Sequence, residues 1–406
     1  MKGRRFFAGT PGLLLAMGLL LIGCNQPTDD KADGNAVTVN PGDFITPPGE
    51  SESFNDITAA QWVSNVRIGW NLGNTLEAYD LTWLPANPTV TQLEKAWNNP
   101  ATTEANITTL KDAGFNAIRL PVSWLKASDS DYNIRADWMA RITAIVDYAV
   151  DNDMYVILNT HHDEVSTSFV DLKTNTDLSK SAFRKIWGQI ADNFKNYNEK
   201  LVFEALNEPR TVGSAAEWSG GTATERSNLN TYYQAFVDVV RASGGNNSRR
   251  ILMINPYGAS GDPAPMNDLA VPNDPALNKI IVSYHCYEPY NFAQNPNSLV
   301  NTWSAAKSSD TSAITSQINN AYNKFVSNGI PVVIGEFGAV NKENEDVRAL
   351  WAAFFVTQAR NKGIPCFWWD NGLFSGTGDE LFGLLNRNAN SFAYSQLLAA
   401  LLNASR

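Results

Sequence analysis

Eight short apolar runs divide the chain from residue 54 onward, and they restrict its possible fold more than any other feature of the sequence. Each run is five or six residues long, which is the length of a strand rather than of a buried helix. Runs of this kind are typical of parallel strands that are covered on both faces. The predicted strands cover residues 67–72, 116–120, 154–159, 201–206, 250–255, 279–284, 331–335 and 364–369.

Segments with helical periodicity separate these runs. Between runs three and four, and again between runs seven and eight, apolar side chains recur three or four residues apart, so that one face of a helix would pack on a sheet. The residues with this spacing are Phe183, Ile186, Trp187, Ile190 and Phe194 in the first segment, and Val347, Leu350, Trp351, Phe354 and Phe355 in the second.

The alternation predicts an α/β fold, a (β/α)8 TIM barrel that forms a single catalytic domain over residues 54–406. A doubly wound open sheet is the alternative. It is disfavoured because no Gly-x-Gly-x-x-Gly follows any predicted strand; Gly69, Gly73 and Gly114 do not have that spacing.

Charge and cysteine content exclude several classes of protein. The 406-residue chain has a formal charge of −10, so its field repels a phosphate backbone and we expect no nucleic-acid partner. Its 44% apolar and 18% charged residues are globular composition. Cys24, Cys286 and Cys366 are too few for a disulfide framework or a four-cysteine zinc site. A neutral polymer suits such a chain as partner.

The N-terminal segment predicts export. Lys2, Arg4 and Arg5 precede an apolar stretch at residues 13–22, which is the layout of a signal peptide over residues 1–23. The stretch ends in Leu-Ile-Gly-Cys24, which resembles the lipobox of bacterial lipoproteins, in which the cysteine is acylated. An ordinary signal peptide that happens to contain a cysteine is the alternative.

A tether and a location follow from this interpretation. Residues 24–53 are rich in Pro, Asp, Gly, Thr and Asn without apolar periodicity, which is typical of a flexible tether. We expect an exported bacterial lipoprotein that is held to a membrane through Cys24. Asn25 stands where an inner-membrane lipoprotein often has Asp, which favours the outer membrane or the cell surface.

Polar and aromatic residues follow the predicted strands at the ends where barrel enzymes carry their chemistry. All three histidines of the chain, His161, His162 and His285, lie at such ends. Glu208 and Glu336 end strands four and seven, so they could face each other across the barrel mouth. Paired carboxylates with aromatic and polar neighbours suit the cleavage of a glycosidic bond.

Seven strings in chain order resemble motifs of glycoside hydrolase family 5, and the resemblance covers about residues 54 to 404. It is closest to the subfamily 4 endoglucanases, which act on cellulose, mixed-linkage glucan and xyloglucan. The strings are Gly69-Trp-Asn-Leu-Gly-Asn74-Thr-Leu-Glu77, Arg119-Leu-Pro-Val, His161-His162, Asn207-Glu208-Pro209, His285-Cys-Tyr287, Ile334-Gly-Glu336-Phe-Gly and Trp368-Trp369-Asp-Asn-Gly.

The resemblance implies roles for the two carboxylates. Glu208 would be the general acid and base, and Glu336 the nucleophile of a retaining mechanism, with carboxyl groups roughly 5 to 5.5 Å apart. Glu336 has to be ionised, and we expect Arg119 and Tyr287 to stabilise its charge. Asn207 would bind the sugar 2-hydroxyl, or it is a turn residue before proline.

The resemblance also implies supporting residues. His161 and His285 would orient the carboxylates and bind hydroxyls, whereas His162 either contacts a sugar in the neighbouring subsite or is a packed histidine. Trp369 would be a stacking platform under the sugar, because a pyranose has an apolar face. Asn74 and Glu77 would reach a further subsite, or they serve as a helix cap or surface residues.

We therefore expect a monomeric retaining endo-β-1,4-glucanase that binds a β-glucan and needs no metal or organic cofactor. Two alternatives stay open: a polysaccharide-binding lipoprotein that has lost its chemistry, and a glycosidase for mannan or xylan. A metal-dependent hydrolase built on His161 and His162 is disfavoured, because the pair has neither the His-x-His nor the His-Glu-x-x-His spacing. Serine hydrolysis is disfavoured because the chain contains no Gly-x-Ser-x-Gly.

Overall fold

The computed structural model describes residues 53–406. The expected signal peptide, Cys24 and all of the tether except Ser53 lie outside the described residues. A closed barrel of eight parallel strands forms the centre of this part of the chain, and β1 pairs with both β2 and β8. The strands are β1 (Ile68–Leu72), β2 (Ala117–Leu120), β3 (Tyr155–Asn159), β4 (Leu201–Glu204), β5 (Leu252–Ile254), β6 (Ile280–Cys286), β7 (Val332–Phe337) and β8 (Cys366–Asp370).

The predicted (β/α)8 barrel is confirmed, and each predicted strand overlaps an observed one. The strand bounds differ from the predicted ones by at most two residues, and β6 and β7 each extend two residues beyond the predicted end. His285 and Glu336 therefore lie within strands and not in the loops that follow them. Sequence reasoning ended these strands early because polar residues are typical of a strand terminus.

Helices surround the barrel in the expected alternation, and the two segments with helical spacing form α5 and α10. None of the helices in residues 53–406 is long and apolar enough to cross a bilayer. The helices are α1 (Ala59–Asn65), α2 (Val90–Glu94), α3 (Glu104–Ala113), α4 (Ala136–Asp151), α5 (Asp177–Phe194), α6 (Ala223–Ala242), α7 (Pro263–Asp268), α8 (Tyr290–Ala293), α9 (Ser308–Lys324), α10 (Glu345–Arg360) and α11 (Ser395–Ala404), and a small hairpin, β9 (Leu385–Asn386) with β10 (Ser391–Phe392), precedes α11.

The barrel interior is layered along the strands. Alternate residues of a strand point inward, and the lower inward-facing residues are apolar: Ala117, Ile157, Val202, Met253, Ile281, Val333 and Phe367 form one buried cluster. Trp62 of α1 belongs to the same cluster, so α1 closes the barrel end opposite the active-site mouth. The next inward-facing residues are polar, among them Arg119 and Glu204. The barrel interior is therefore polar toward the carboxyl ends of the strands.

Tryptophans mostly build the layer between barrel and helices. Trp187 of α5 and Trp351 of α10 are fully buried against the outside of the barrel. Trp368 is also fully buried, as expected of a core residue, whereas its neighbour Trp369 is only partly buried. The two residues lie on opposite faces of β8, so one strand supplies both the core and the cleft.

Gly69 leaves room for a large ring inside the barrel, which gives a test of the interior packing. A Cβ atom at Gly69 would lie 2.0 Å from Cδ1 of Phe367, whereas a Cβ at Gly188, within α5, would lie an ordinary 3.6 Å from Val239. We expect Gly69→Ala to destabilise the fold by about 1–3 kcal/mol, because the Phe367 ring cannot move without strain. Gly188→Ala should stabilise it by about 0.5–1 kcal/mol, since alanine favours helix.

Thermal unfolding of the two variants by circular dichroism provides the measurement. The unfolding midpoint should fall for Gly69→Ala and rise for Gly188→Ala. Equal midpoints for Gly69→Ala and the unmodified protein would contradict the described packing of Phe367.

Candidate active site

Glu208 and Glu336 meet across the mouth of the barrel, and His285 lies between them. The Nδ1 atom of His285 is 3.0 Å from Glu208 Oε1 and 3.5 Å from Glu336 Oε2. One oxygen of each carboxylate and one nitrogen of His285 all lie within 4.8 Å of one another. This close approach suits the pair of a retaining glycosidase, in which no water has to fit between a base and the sugar.

Two irregularities in the sheet direct the side chains of His285 and Glu336 toward the mouth of the barrel. The β6–β7 register shifts between Tyr284 and His285, and the β7–β8 register shifts between Ile334 and Phe337. An extra residue in a strand changes which side chains face inward, so Gly335 and Glu336 can both serve the interior. A Cβ at Gly335 would lie 2.4 Å from Ser283 Oγ, so any side chain there would displace that hydroxyl beside the site.

Arg119 is the hub of the buried polar layer and has no exposed surface. Its Nη1 donates to Glu336 Oε1 at 2.7 Å and to Asn71 Oδ1 at 3.0 Å, and its Nε donates to Glu204 Oε2 at 2.7 Å. Burial acts to lower the pKa of Arg119, but the charges of Glu204 and Glu336 outweigh it and raise that pKa above its ordinary value. The guanidinium therefore stays charged beside Glu336.

Glu204 holds the hub in place and was missed by the sequence analysis. Its Oε2 also accepts from Asn159 Nδ2 at 3.1 Å, and its Oε1 accepts from Asn255 Nδ2 at 3.1 Å. A fully buried carboxylate with three such donors is a structural anchor. The inward position of Glu204, two residues beyond Val202 on β4, was the signal that could have identified it.

Asn207 and Tyr287 are fixed by the same network. Arg119 Nη2 donates to Asn207 Oδ1 at 2.8 Å, and since guanidinium can only donate, the amide nitrogen of Asn207 is the group left to face a ligand. Tyr287 donates its hydroxyl to Glu336 Oε2 at 2.8 Å. Burial, together with the Glu336 charge, raises the pKa of Tyr287 well above its usual range, so the phenol remains a donor. Both oxygens of Glu336 thus receive a hydrogen bond.

His161 is buried and is held in one tautomer. Asn159 Nδ2 is 3.1 Å from His161 Nδ1, and because Asn159 Oδ1 accepts from the Val122 amide, its nitrogen is the donor and the His161 proton resides on Nε2. Burial first, and then the neighbouring positive charges, lower the pKa of His161 well below its usual range. A neutral ring thus faces Trp369, almost parallel at 6° and with centroids 6.1 Å apart.

Trp369 lies beside this ring, within the end of β8, and is partly exposed. The backbone of Gly73 passes so close to it that a Cβ there would lie 2.9 Å from Trp369 Cζ2. The loop after β1 thus supports the indole from one side. Loss of the glycine would push the platform out of position.

His162 belongs to an aromatic cluster that the sequence analysis did not identify. Its ring centroid is 4.6 Å from that of Tyr79 and 5.7 Å from that of Trp97, and all three residues are partly buried. Burial, followed by the charge of Arg210, lowers the pKa of His162 to about 3, so the ring is neutral. These ring contacts fit the interpretation of His162 as a packed histidine, although its side chain is only partly buried.

The structure corrects the expectation for Glu77. The residue is fully buried, and its carboxylate accepts from the backbone amides of Asn74 and Thr75, which shapes the loop after β1. Burial raises the pKa of Glu77 to about 7. It therefore supports the loop and has no surface to offer a sugar, whereas Asn74, in a left-handed conformation with φ of 54°, is partly exposed.

A metal centre on His161 and His162 finds no support in the geometry. Among residues 53–406, the group whose donor atoms converge is Glu208, His285 and Glu336, and it contains neither of the paired histidines. Arg119 Nη1 lies 2.7 Å from Glu336 in that group. A permanent guanidinium charge this close repels a cation, so the cluster is suited to proton transfer rather than to a metal.

His285 bridges the two carboxylates in the mouth of a (β/α)8 barrel, and the indole of Trp369 lies parallel to His161 at the end of β8. These features identify the class of the protein: it is a glycoside hydrolase. The sequence profile described as Cellulase (glycosyl hydrolase family 5) matches residues 82–375. This chain belongs to glycosyl hydrolase family 5.

Relatives with known names agree with this assignment and confirm the resemblance to subfamily 4. Endoglucanase A of Clostridium longisporum is 40% identical over 87% of this chain and 67% of the relative. A GH5-4 broad specificity endoglucanase from Ruminococcus champanellensis, solved with bound cellotriose, is 43% identical with a TM-score of 0.82, over 86% of this chain and 100% of that chain. The xyloglucan-specific endo-β-1,4-glucanase XEG5A, from a metagenomic library and in complex with cellotriose, is 41% identical with a TM-score of 0.78, over 84% and 98%.

Proposed function

We propose that this glycoside hydrolase is a retaining endo-β-1,4-glucanase in which Glu336 is the nucleophile and Glu208 is the general acid and base. The observation that carries the assignment is the placement of the two carboxylates on either side of His285, with one oxygen of each within 4.8 Å of the other. That spacing suits attack on the anomeric carbon by one group while the other protonates the leaving oxygen of the same linkage.

Glu336 forms a covalent glycosyl ester in the first step, and Glu208 gives its proton to the departing sugar. In the second step Glu208 takes a proton from water, which attacks the same carbon and releases Glu336. Arg119 and Tyr287 stabilise the carboxylate before attack and when it leaves. The amide nitrogen of Asn207 donates to the sugar 2-hydroxyl, a contact that strengthens as positive charge develops on the ring.

The substrate is a β-glucan, and internal bonds are cleaved in an open cleft. Trp369 offers its face to the sugar at the cleavage point, and His162 with Tyr79 and Trp97 lines the neighbouring part of the cleft. The names of the relatives favour glucans over the alternatives of mannan and xylan. The binding-only alternative is disfavoured because both carboxylates keep their supporting residues. Mixed-linkage glucan and xyloglucan are proposed as substrates alongside cellulose.

The chain is further proposed to act as an exported lipoprotein at the outer membrane or cell surface. The support is the lipobox-like sequence that ends in Cys24 and the tether-like composition of residues 24–53. Large insoluble glucans cannot enter a cell, so an enzyme that cleaves them has to work outside it. Anchoring on a tether would keep the products close to the cell.

Turnover and stereochemistry test the proposed mechanism. We expect hydrolysis of carboxymethylcellulose, lichenan and xyloglucan to continue in excess EDTA and to release a product that is first β by proton NMR. Glu336→Gly should lower the rate by about 10³-fold or more, because no ester can form. Glu343→Gln, which changes an exposed glutamate in the loop after β7, is the matched control and should keep the rate. An α product, or substantial activity of Glu336→Gly, would refute the assignment.

Leaving-group dependence tests Glu208 separately. Glu208→Ala should slow cleavage of natural glucans by roughly 10²–10⁴-fold, because the departing sugar oxygen needs a proton. A dinitrophenyl cellobioside releases a stable phenolate, so formation of the glycosyl ester should be slowed far less. Pre-steady-state release of dinitrophenol measures that step. An equal loss on both substrates would contradict the acid role.

Fractionation tests the anchor. The protein expressed in a Gram-negative host should appear in the membrane fraction, and Cys24→Ser should move it to the soluble fraction because no lipid can be attached. Asn25→Gln changes the adjacent residue and should stay with the membranes. Retention of Cys24→Ser in the membrane fraction would contradict acylation at this residue.

A further inference from the structure

Arg210 follows the Asn207-Glu208-Pro209 segment directly and is buried behind the acid. Its Nη1 donates to the backbone carbonyl of Glu208 at 3.0 Å and lies 4.0 Å from the Glu208 carboxylate. Burial acts to lower the pKa of Arg210, but the charges of Glu208 and Glu164 outweigh it and raise that pKa, so the side chain stays cationic. No role in the proposed mechanism yet uses this buried charge.

Glu164 completes a clamp on the backbone of the acid. Its Oε2 accepts the amide of Asn207 at 3.0 Å, and its Oε1 accepts the amide of Glu208 at 2.7 Å and lies 3.3 Å from Arg210 Nη1. Burial acts to raise the pKa of Glu164, and the neighbouring Arg210 charge acts to lower it. One buried pair therefore holds both amides and one carbonyl of the segment that carries the acid.

The other side of Arg210 is fixed to the loop that follows β4, residues 211–221. Its Nε donates to Glu217 Oε1 at 3.1 Å, and its guanidinium lies 4.4 Å from the centroid of the Trp218 ring. Glu217 Oε2 in turn accepts the amide of Gly213 at 2.8 Å. Arg210 thus joins the acid segment, Glu164 and the loop in one network, and a planar guanidinium can serve all three at once.

We propose that Arg210 is a positioning residue for the acid: with Glu164 it clamps the backbone of residues 207 and 208, and through Glu217 and Trp218 it ties that clamp to the β4 loop. This inference rests on the proposed role of Glu208. Proton donation depends on reach and angle, and a displacement of about 1 Å costs on the order of 10²-fold in rate. The clamp supplies that accuracy without contacting the sugar.

The experiment compares Arg210→Met with a matched control, Arg226→Met. Arg226, on α6, donates to the carbonyls of Gly220 and Gly221 at 2.7 Å and pairs with Asp268, so it anchors the end of the same loop without touching Glu208 or Glu164. Both variants lose one guanidinium and keep the length of the side chain. Circular dichroism and thermal unfolding show whether each variant folds.

We expect Arg210→Met to lower kcat on a soluble glucan by about 10²-fold while KM changes by less than about threefold. Glycosyl-ester formation from dinitrophenyl cellobioside should fall by less than about fivefold, because that step needs little help from an acid. Arg226→Met should change both rates by the same small factor. Arg210→Lys, which keeps the charge but not the planar fork, should be intermediate on the glucan.

Two further variants keep the test decisive if Arg210→Met unfolds. Glu164→Gln should show the same split between substrates. The side-chain nitrogen of the glutamine would face the backbone N–H of residue 207 or 208, and a nitrogen that only donates cannot accept that hydrogen bond. In the Glu208→Ala background, Arg210→Lys should have no further effect on the glucan, since a positioning residue acts only through the group it positions.

Equal losses on both substrates, or an undiminished effect of Arg210→Lys in the Glu208→Ala background, would overturn the inference. If the unmodified protein does not turn over a glucan at all, the proposed function fails instead. The two failures are therefore distinguishable.

Discussion

The buried pair of Arg119 and Glu204 is the interaction on which the site depends. Its ions lie inside the barrel without solvent exposure, where removal of one partner would leave an unpaired charge at a cost of roughly 3–5 kcal/mol. Each ion of the pair also makes further hydrogen bonds. Glu204 accepts from two asparagines, and Arg119 donates to both Glu336 and Asn207. Glu336 and Asn207, the proposed nucleophile and the proposed donor to the 2-hydroxyl, are thus positioned from one buried centre.

Positions of the catalytic groups also depend on backbone features that carry no chemistry of their own. Gly335 lies close to the Ser283 hydroxyl, which a side chain at this position would displace, and the shifted register beside it brings Glu336 into the mouth. Gly73 plays the corresponding part for Trp369. A barrel places its strand ends in a ring automatically, but the accuracy that catalysis requires comes from such local departures from regular pairing.

Much of this arrangement could be predicted from the sequence, because a parallel barrel brings every carboxyl strand end to one face. That rule alone predicts that Glu208, Glu336 and His285 lie close together. It could not identify Glu204, which lies within β4 and is indicated only by its inward position, or Glu164, whose donors include backbone amides of a different loop. The resemblance left two roles open for Glu77, since a position after β1 is compatible with both a cleft residue and a loop support. The two amides that Glu77 accepts decide between them.

The partners of the two carboxylates differ, and this difference is what separates their roles. Glu336 receives a guanidinium on one oxygen and a phenol on the other, both from fully buried or nearly buried groups that cannot give up their protons near neutral pH. Glu208 has His285 beside it at 3.0 Å and a guanidinium only at 4.0 Å, while its backbone is gripped by Glu164. A carboxylate with two strong donors is stabilised as an anion and suits attack on carbon. Glu208 has a histidine within hydrogen-bonding distance of its carboxylate and a backbone held by Glu164, an arrangement that suits the proposed acid, which has to release a proton and later take one up.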